Sequence, residues 1–108
     1  MIKDEIQDVM KVMTETFTDF YAFTNKEIFG NIWNRPELSQ RDRSLITVAA
    51  LVACGHSAQL PFHLSKAVEN GITKDELKEV MFHTAVYGGW PSAVSAMLST
   101  ADFFNAGE

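Results

Sequence analysis

Between Ala53 and Leu64 the chain reads ACGHSAQLPFHL, which sets Cys54, His56, Gln59 and His63 close together directly after an almost wholly apolar run. These residue types admit three chemistries: thiol redox work, metal ligation, or a histidine acid/base pocket. The thiol reading is the weakest. Cys54 is the chain's single cysteine, so no resolving partner exists, and the negative end of a helix disfavours a thiolate. It is expected to be a small buried packing residue. A zinc site drawn from the three histidines and Asp42 has no tight ligand spacing behind it, so no metal is expected.

His63 follows Gln59 by four residues, which puts imidazole and amide on one face near a helix N-terminus. That position lowers a histidine's pKa and suits an anion such as a carboxylate. A capping or solvent-facing histidine fits the same position equally well. His83 stands four residues after Glu79 and four before Tyr87, a spacing compatible with a carboxylate-imidazole-phenol row or with an ordinary polar surface. His56, in the turn after Gly55, is expected to be exposed. Arg41, Asp42 and Arg43 share the first turns of another helix. They read either as a solvated helix start or as an arginine able to grip a carboxylate by two parallel hydrogen bonds.

Helices must position these groups. Ile2, Ile6, Val9, Met13, Phe17 and Phe20 recur at three- and four-residue steps, predicting one long amphipathic helix up to about Phe29. Phe17, Phe20, Tyr21, Phe23, Phe29 and Trp33 exceed what a single stripe needs; they suit the core, the default for any one of them, or a subunit interface. Pro36 breaks this helix, and Ser39 caps the next, which runs to about Cys54 and is apolar on every side from Leu45 onward. Ser57 is the expected cap of a third helix that carries Pro61 in its first turn and closes at Gly71. Thr73 with Glu76 forms a capping box for a fourth, and "YGGWP" separates it from a last helix that begins near Pro91. No alternating strand pattern of useful length is present, so the fold class is all-α, about five helices in a single domain over 1–108.

Fourteen acidic against nine basic residues give a formal charge of −5, which argues against a sequence-independent grip on nucleic acid. The longest apolar run, Leu45 to Cys54, falls short of the roughly 20 residues that span a bilayer. The acidic start "MIKDEIQD" lacks a signal-peptide pattern, and with the single cysteine it points to a cytoplasmic protein.

The segments "IWNRPELSQRDRSLITVAALVACG" and "HLSKAVENGITKDELKEVMFHTAVYGGWPSAVSA" resemble the carboxymuconolactone decarboxylase family over about residues 28–98. The resemblance rests on Trp33 with Arg35-Pro36, the pattern from Arg43 to Gly55, His63, Asn70 to Glu79, and His83 to Ala93. It implies the alkylhydroperoxidase D-like helical fold, assembled as a trimeric or hexameric ring with pockets near subunit contacts. One branch decarboxylates γ-carboxymuconolactone in aromatic degradation; the other reduces peroxides with a Cys-x-x-Cys pair and a nearby histidine. The redox cysteines of the second branch would fall at His56 and Gln59, neither of which is a thiol, so that disulfide chemistry is not available. The resemblance places His63 at the histidine shared by both branches. The decarboxylase branch usually has Gly-Arg in the turn after the central helix and a glutamate just before the equivalent of Leu60. Here His56 and Gln59 stand instead, implying altered substrate choice.

The resemblance therefore implies a lyase acting on a small lactone carboxylic acid. His63 would be the acid/base group with a pKa in the neutral range, and Arg43 would orient the anion or stabilise the developing enolate. Gln59, His56, His83, Asp42 and Trp90 are the substrate-binding candidates, and the apolar residues from Ile46 to Ala53 would keep the site dry. No metal or organic cofactor is implied, because a conjugated lactone is its own electron sink. The alternatives are a peroxidase-like antioxidant protein that recruits an external thiol, and a non-catalytic oligomeric binder of small organic acids.

Overall fold

The computed structural model describes residues 2–106, with side chains from Ile6 onward; the side chain of Ile2 lies outside the described residues. The order of elements is α1 (Ile2–Glu15), α2 (Thr18–Phe23), a π-helical segment (Thr24–Phe29), a 3-10 turn (Ile32–Asn34), α3 (Gln40–Ala53), a second 3-10 turn (Ser57–Gln59), α4 (Leu60–Glu69), α5 (Lys74–Gly88) and α6 (Trp90–Asn105). There is no strand among the described residues, and no helix is long and apolar enough to cross a membrane. The all-α class is as expected, with six α-helices rather than five.

The additional helix comes from the N-terminal segment, where the single long helix expected to Phe29 is broken. Thr14 Oγ1 donates to the carbonyls of Met10 and Lys11, Thr18 Oγ1 to that of Thr14, and Thr24 Oγ1 to that of Phe20. Threonine hydroxyls that bond back onto the preceding turn bend helices. At Phe17 the backbone leaves the helical region, with φ −115° and ψ 50°. The chain then widens to a π-helical turn that Gly30 closes by donating to the Asn25 carbonyl. The break turns Phe17, Phe20 and Phe23 outward, with exposures of 54%, 63% and 59%, so these three rings are not core residues. Trp33 alone of the aromatic set is buried, while Tyr21 and Phe29 are partly so.

The four later helices enclose the core. Val48 and Val52 of α3 meet Leu60, Leu64 and Ala67 of α4, Leu77, Met81 and Ala85 of α5, and Ala93, Ala96, Phe103 and Phe104 of α6. Burying a leucine of this kind contributes about 1.5–3 kcal/mol relative to leaving it exposed. Small residues set the closest approach: a Cβ on Gly88 of α5 would lie 2.7 Å from the Ala53 Cβ of α3. Two caps fix α4 against α5. Gly71, at φ +97°, donates to the Val68 carbonyl while Ile72 donates to that of Ala67, the double bond pattern of a Schellman ending. Thr73 and Glu76 then form both bonds of the expected capping box.

The Ser39 cap is present, its Oγ accepting from the Asp42 N–H at 3.0 Å. Asn70 ties the end of α4 back to the start of α3 by donating to the buried Ser44 hydroxyl at 3.0 Å. Ser57 does not cap α4. It opens the 3-10 turn, and the helix begins beyond Gln59 with Pro61 in its first turn, where a missing N–H costs little. Cys54 also departs from expectation: it is exposed, because it is the C-cap of α3 and stands past the buried stripe Ser44, Val48 and Val52.

Candidate functional site

At the start of α4, Leu60 and Leu64 point into the core and leave Phe62 and His63 facing the segment that leads into α3. The imidazole of His63 stacks on Trp33, with centroids 6.1 Å apart and planes 18° apart, and on Phe29 at 6.5 Å and 26°. Phe62 meets it edge-on at 5.0 Å. Nδ1 of His63 is buried without a hydrogen-bond partner among the described residues. Burial first, and the neighbouring Lys66 ammonium second, hold the pKa of His63 below 6.5. The lowered direction is the expected one, and in the free protein at pH 7 the imidazole is mainly uncharged. The cause is the aromatic enclosure and Lys66.

The first turn of α3 holds the Trp33 segment in place. Gln40 Nε2 donates to the Trp33 carbonyl, and Arg43 donates through Nη2 to the Arg35 carbonyl at 3.0 Å. The Nε–H of Arg43 is buried and finds no acceptor. His63 and Arg43 thus meet the same Trp33–Arg35 turn, one through the Trp33 ring and the other through the Arg35 carbonyl. They carry the two buried side-chain polar atoms that lack a partner among the described residues. Each such atom costs about 1–3 kcal/mol when nothing satisfies it.

The remaining candidates are exposed. His56 and Gln59 are exposed in the turn before α4 and at its N-cap. Asp42 is exposed, with its backbone N–H on Ser39. His83 and Tyr87 pair at 5.0 Å on the outer face of α5, and Trp90 is 68% exposed where α6 begins. No hydrogen bond among the described residues joins any of these to His63 or Arg43. The apolar surroundings of His63 come from Phe29, Trp33 and Phe62. The expected wall from Ile46 to Ala53 is divided instead, since Val48 and Val52 enter the core while Ile46 and Ala50 face outward. Among the described residues no three His, Cys, Asp or Glu side chains converge to hold a metal ion.

Sequence reasoning did not find Gln40, Phe62 or Lys66. Lys66 had a signal, standing three residues after His63 on the same helix face. The meeting of Phe29 and Trp33 with His63 across about thirty residues had none.

Arg41 pairs with Glu76, joining α3 to α5. This contact and the capping box hold the Glu76 carboxyl below its ordinary range, the Thr73 backbone bond being the largest cause.

Residues 18–102 match the description of the carboxymuconolactone decarboxylase family. The 4-carboxymuconolactone decarboxylase of Acinetobacter baylyi is 41% identical over 86 residues, which is 80% of this chain and 64% of that protein. The nitrosuccinic acid decarboxylase of Metarhizium robertsii is 36% identical over 77 residues, 71% of this chain and 54% of that protein. The chain therefore spans rather more than half the length of these relatives. With most of its length matched, from α2 to near the end of α6, the chain belongs to the carboxymuconolactone decarboxylase family.

Proposed function

We propose that the protein is a decarboxylase of a small lactone carboxylic acid such as γ-carboxymuconolactone. The observation that carries this reading is that Arg43 and His63, which meet the same Trp33–Arg35 turn, each bury a polar atom, Nε and Nδ1, that has no partner among the described residues. A donor held ready for charge that appears only during reaction is how a site stabilises a transition state.

In such a substrate the bond from the γ carbon to its carboxylate breaks and CO2 leaves. The electron pair stays in the ring and passes through the conjugated double bond to the lactone carbonyl oxygen. A proton then returns to the α carbon and gives the enol-lactone. Arg43 Nε–H donates to the anion as charge builds on oxygen. Phe29, Trp33 and Phe62 keep water from the departing carboxylate. His63 is mainly neutral before binding; the substrate's negative charge raises its pKa and lets it hold the proton that goes to carbon.

The protein works as a cytoplasmic homo-oligomer of three or six copies. Phe82, Val86, Tyr87 and Trp90 form an exposed apolar face across α5 and α6, supporting association. Light scattering at a few concentrations tests it, and a monomer throughout refutes it. For activity, the protein is incubated with γ-carboxymuconolactone while CO2 release and lactone loss are followed by NMR. Turnover that disappears in His63→Ala is expected. No turnover by the folded wild type refutes the reading; binding without conversion then favours an organic-acid binder. A second reading rests on the exposure of Cys54, which leaves the thiol open to peroxide and an external thiol. Peroxide consumption abolished by alkylating Cys54 would support it.

A further inference from the structure

Lys66 is a group that the proposed chemistry does not use. It lies one turn beyond His63 on α4 and is partly buried. Its ammonium stands 5.4 Å from the ring centroid of Phe29 and 5.4 Å from that of Trp33, the two rings that stack on His63. Two aromatic faces hold the cation in a defined place without neutralising it. Among the described residues no carboxylate lies within ion-pair distance of it.

Lys66 also lines a cavity of about 250 Å³ between α1 and α4, together with Ile6, Phe62, Ser65 and Glu69. Phe62 is common to that cavity and to the His63 enclosure. Of these lining residues, Lys66 and Ser65 have side chains that can donate to an anion. The Glu69 carboxylate is the competing negative group on the same wall.

We propose that Lys66 is a specificity-determining residue that pairs with a second, non-reacting carboxylate, so that the site selects dicarboxylic over monocarboxylic acids. This rests on the decarboxylase reading for which carboxylate reacts, but the binding preference is measurable without turnover.

The test is equilibrium binding of succinate and butyrate, equal in carbon count and differing in one carboxylate, followed by calorimetry and by the His63 ring signals in NMR. Wild type is expected to bind succinate about fivefold more tightly than butyrate, the effect of one modest ion pair. In Lys66→Gln the preference should fall below about twofold while butyrate affinity holds, and Lys66→Arg should restore most of it. No succinate preference in the wild type, a preference that survives Lys66→Gln, or equal weakening of both acids would overturn the proposal. Absence of CO2 release from the lactone refutes the decarboxylase reading separately, since neither probe acid is converted in this measurement.

Discussion

Replacing His63 with phenylalanine separates catalysis from packing. The phenylalanine ring fills the space between Trp33, Phe29 and Phe62, whose centroids lie 5.0–6.5 Å from the imidazole. It also removes the buried Nδ1 that has no partner among the described residues. Aromatic contacts contribute about 0.5–1.5 kcal/mol each and are kept, while deleting an unsatisfied buried atom returns about 1 kcal/mol. His63→Phe is therefore expected to melt at or above the wild-type temperature. His63→Ala loses the ring contacts and should cost about 1–3 kcal/mol. That corresponds to about 4–8 °C in Tm per kcal/mol for a domain near this size. Removing a general acid should lower turnover about 10²–10⁴-fold in both variants, which is about 3–5 kcal/mol in the barrier. Melting by circular dichroism and CO2 release from the lactone are measured on the same samples. If His63→Phe keeps more than about a tenth of wild-type turnover, against the loss that general acid catalysis demands, His63 is a packing residue and the mechanism is wrong.

Acid should expose the lowered pKa of His63. Its folded value lies below the unfolded 6.5, so as pH falls the unfolded chain takes up the proton first. The contribution to stability is full above that value and is lost as pH falls through the folded pKa. The Tm of wild type should consequently drop more steeply between about pH 7 and about pH 5 than that of His63→Phe; parallel slopes would contradict the assignment. Gly88→Ala places a Cβ 2.7 Å from the Ala53 Cβ at the crossing of α3 and α5, and overpacking of this kind should cost about 1–3 kcal/mol in denaturant unfolding. An unchanged midpoint would mean that the helices separate freely there. Cys54→Ser, at an exposed helix end, should alter stability by no more than about 0.5 kcal/mol and leave lactone turnover intact. Loss of activity in a folded Cys54→Ser protein would move the chemistry to the thiol.

Helix boundaries from Ser39 onward were largely legible in the sequence. The Ser39 cap, the Gly71 ending, the Thr73–Glu76 box and the start near Pro91 all lie where residue types placed them. These signals are readable because a cap is a hydrogen bond made within a few residues of its own position. The break at Phe17 depends on several threonine hydroxyls competing for carbonyls in successive turns, which a count of apolar spacing does not register. Ser57 had the right residue type for a cap, yet an intervening 3-10 turn moved the helix start beyond it.

For the site, sequence alone determined that a histidine and an arginine of the right types stand near helix starts, and the motifs around them determined the family. The enclosure itself was decided only by tertiary structure. Trp33 and Phe29 reach His63 because Gln40 and Arg43 bind the carbonyls of the Trp33–Arg35 turn and hold it beside α4. Whether a side chain is buried, and therefore where its pKa lies, depends on groups that arrive from remote parts of the chain. Residue spacing encodes which helix face a side chain occupies, whereas packing between helices determines what that face meets.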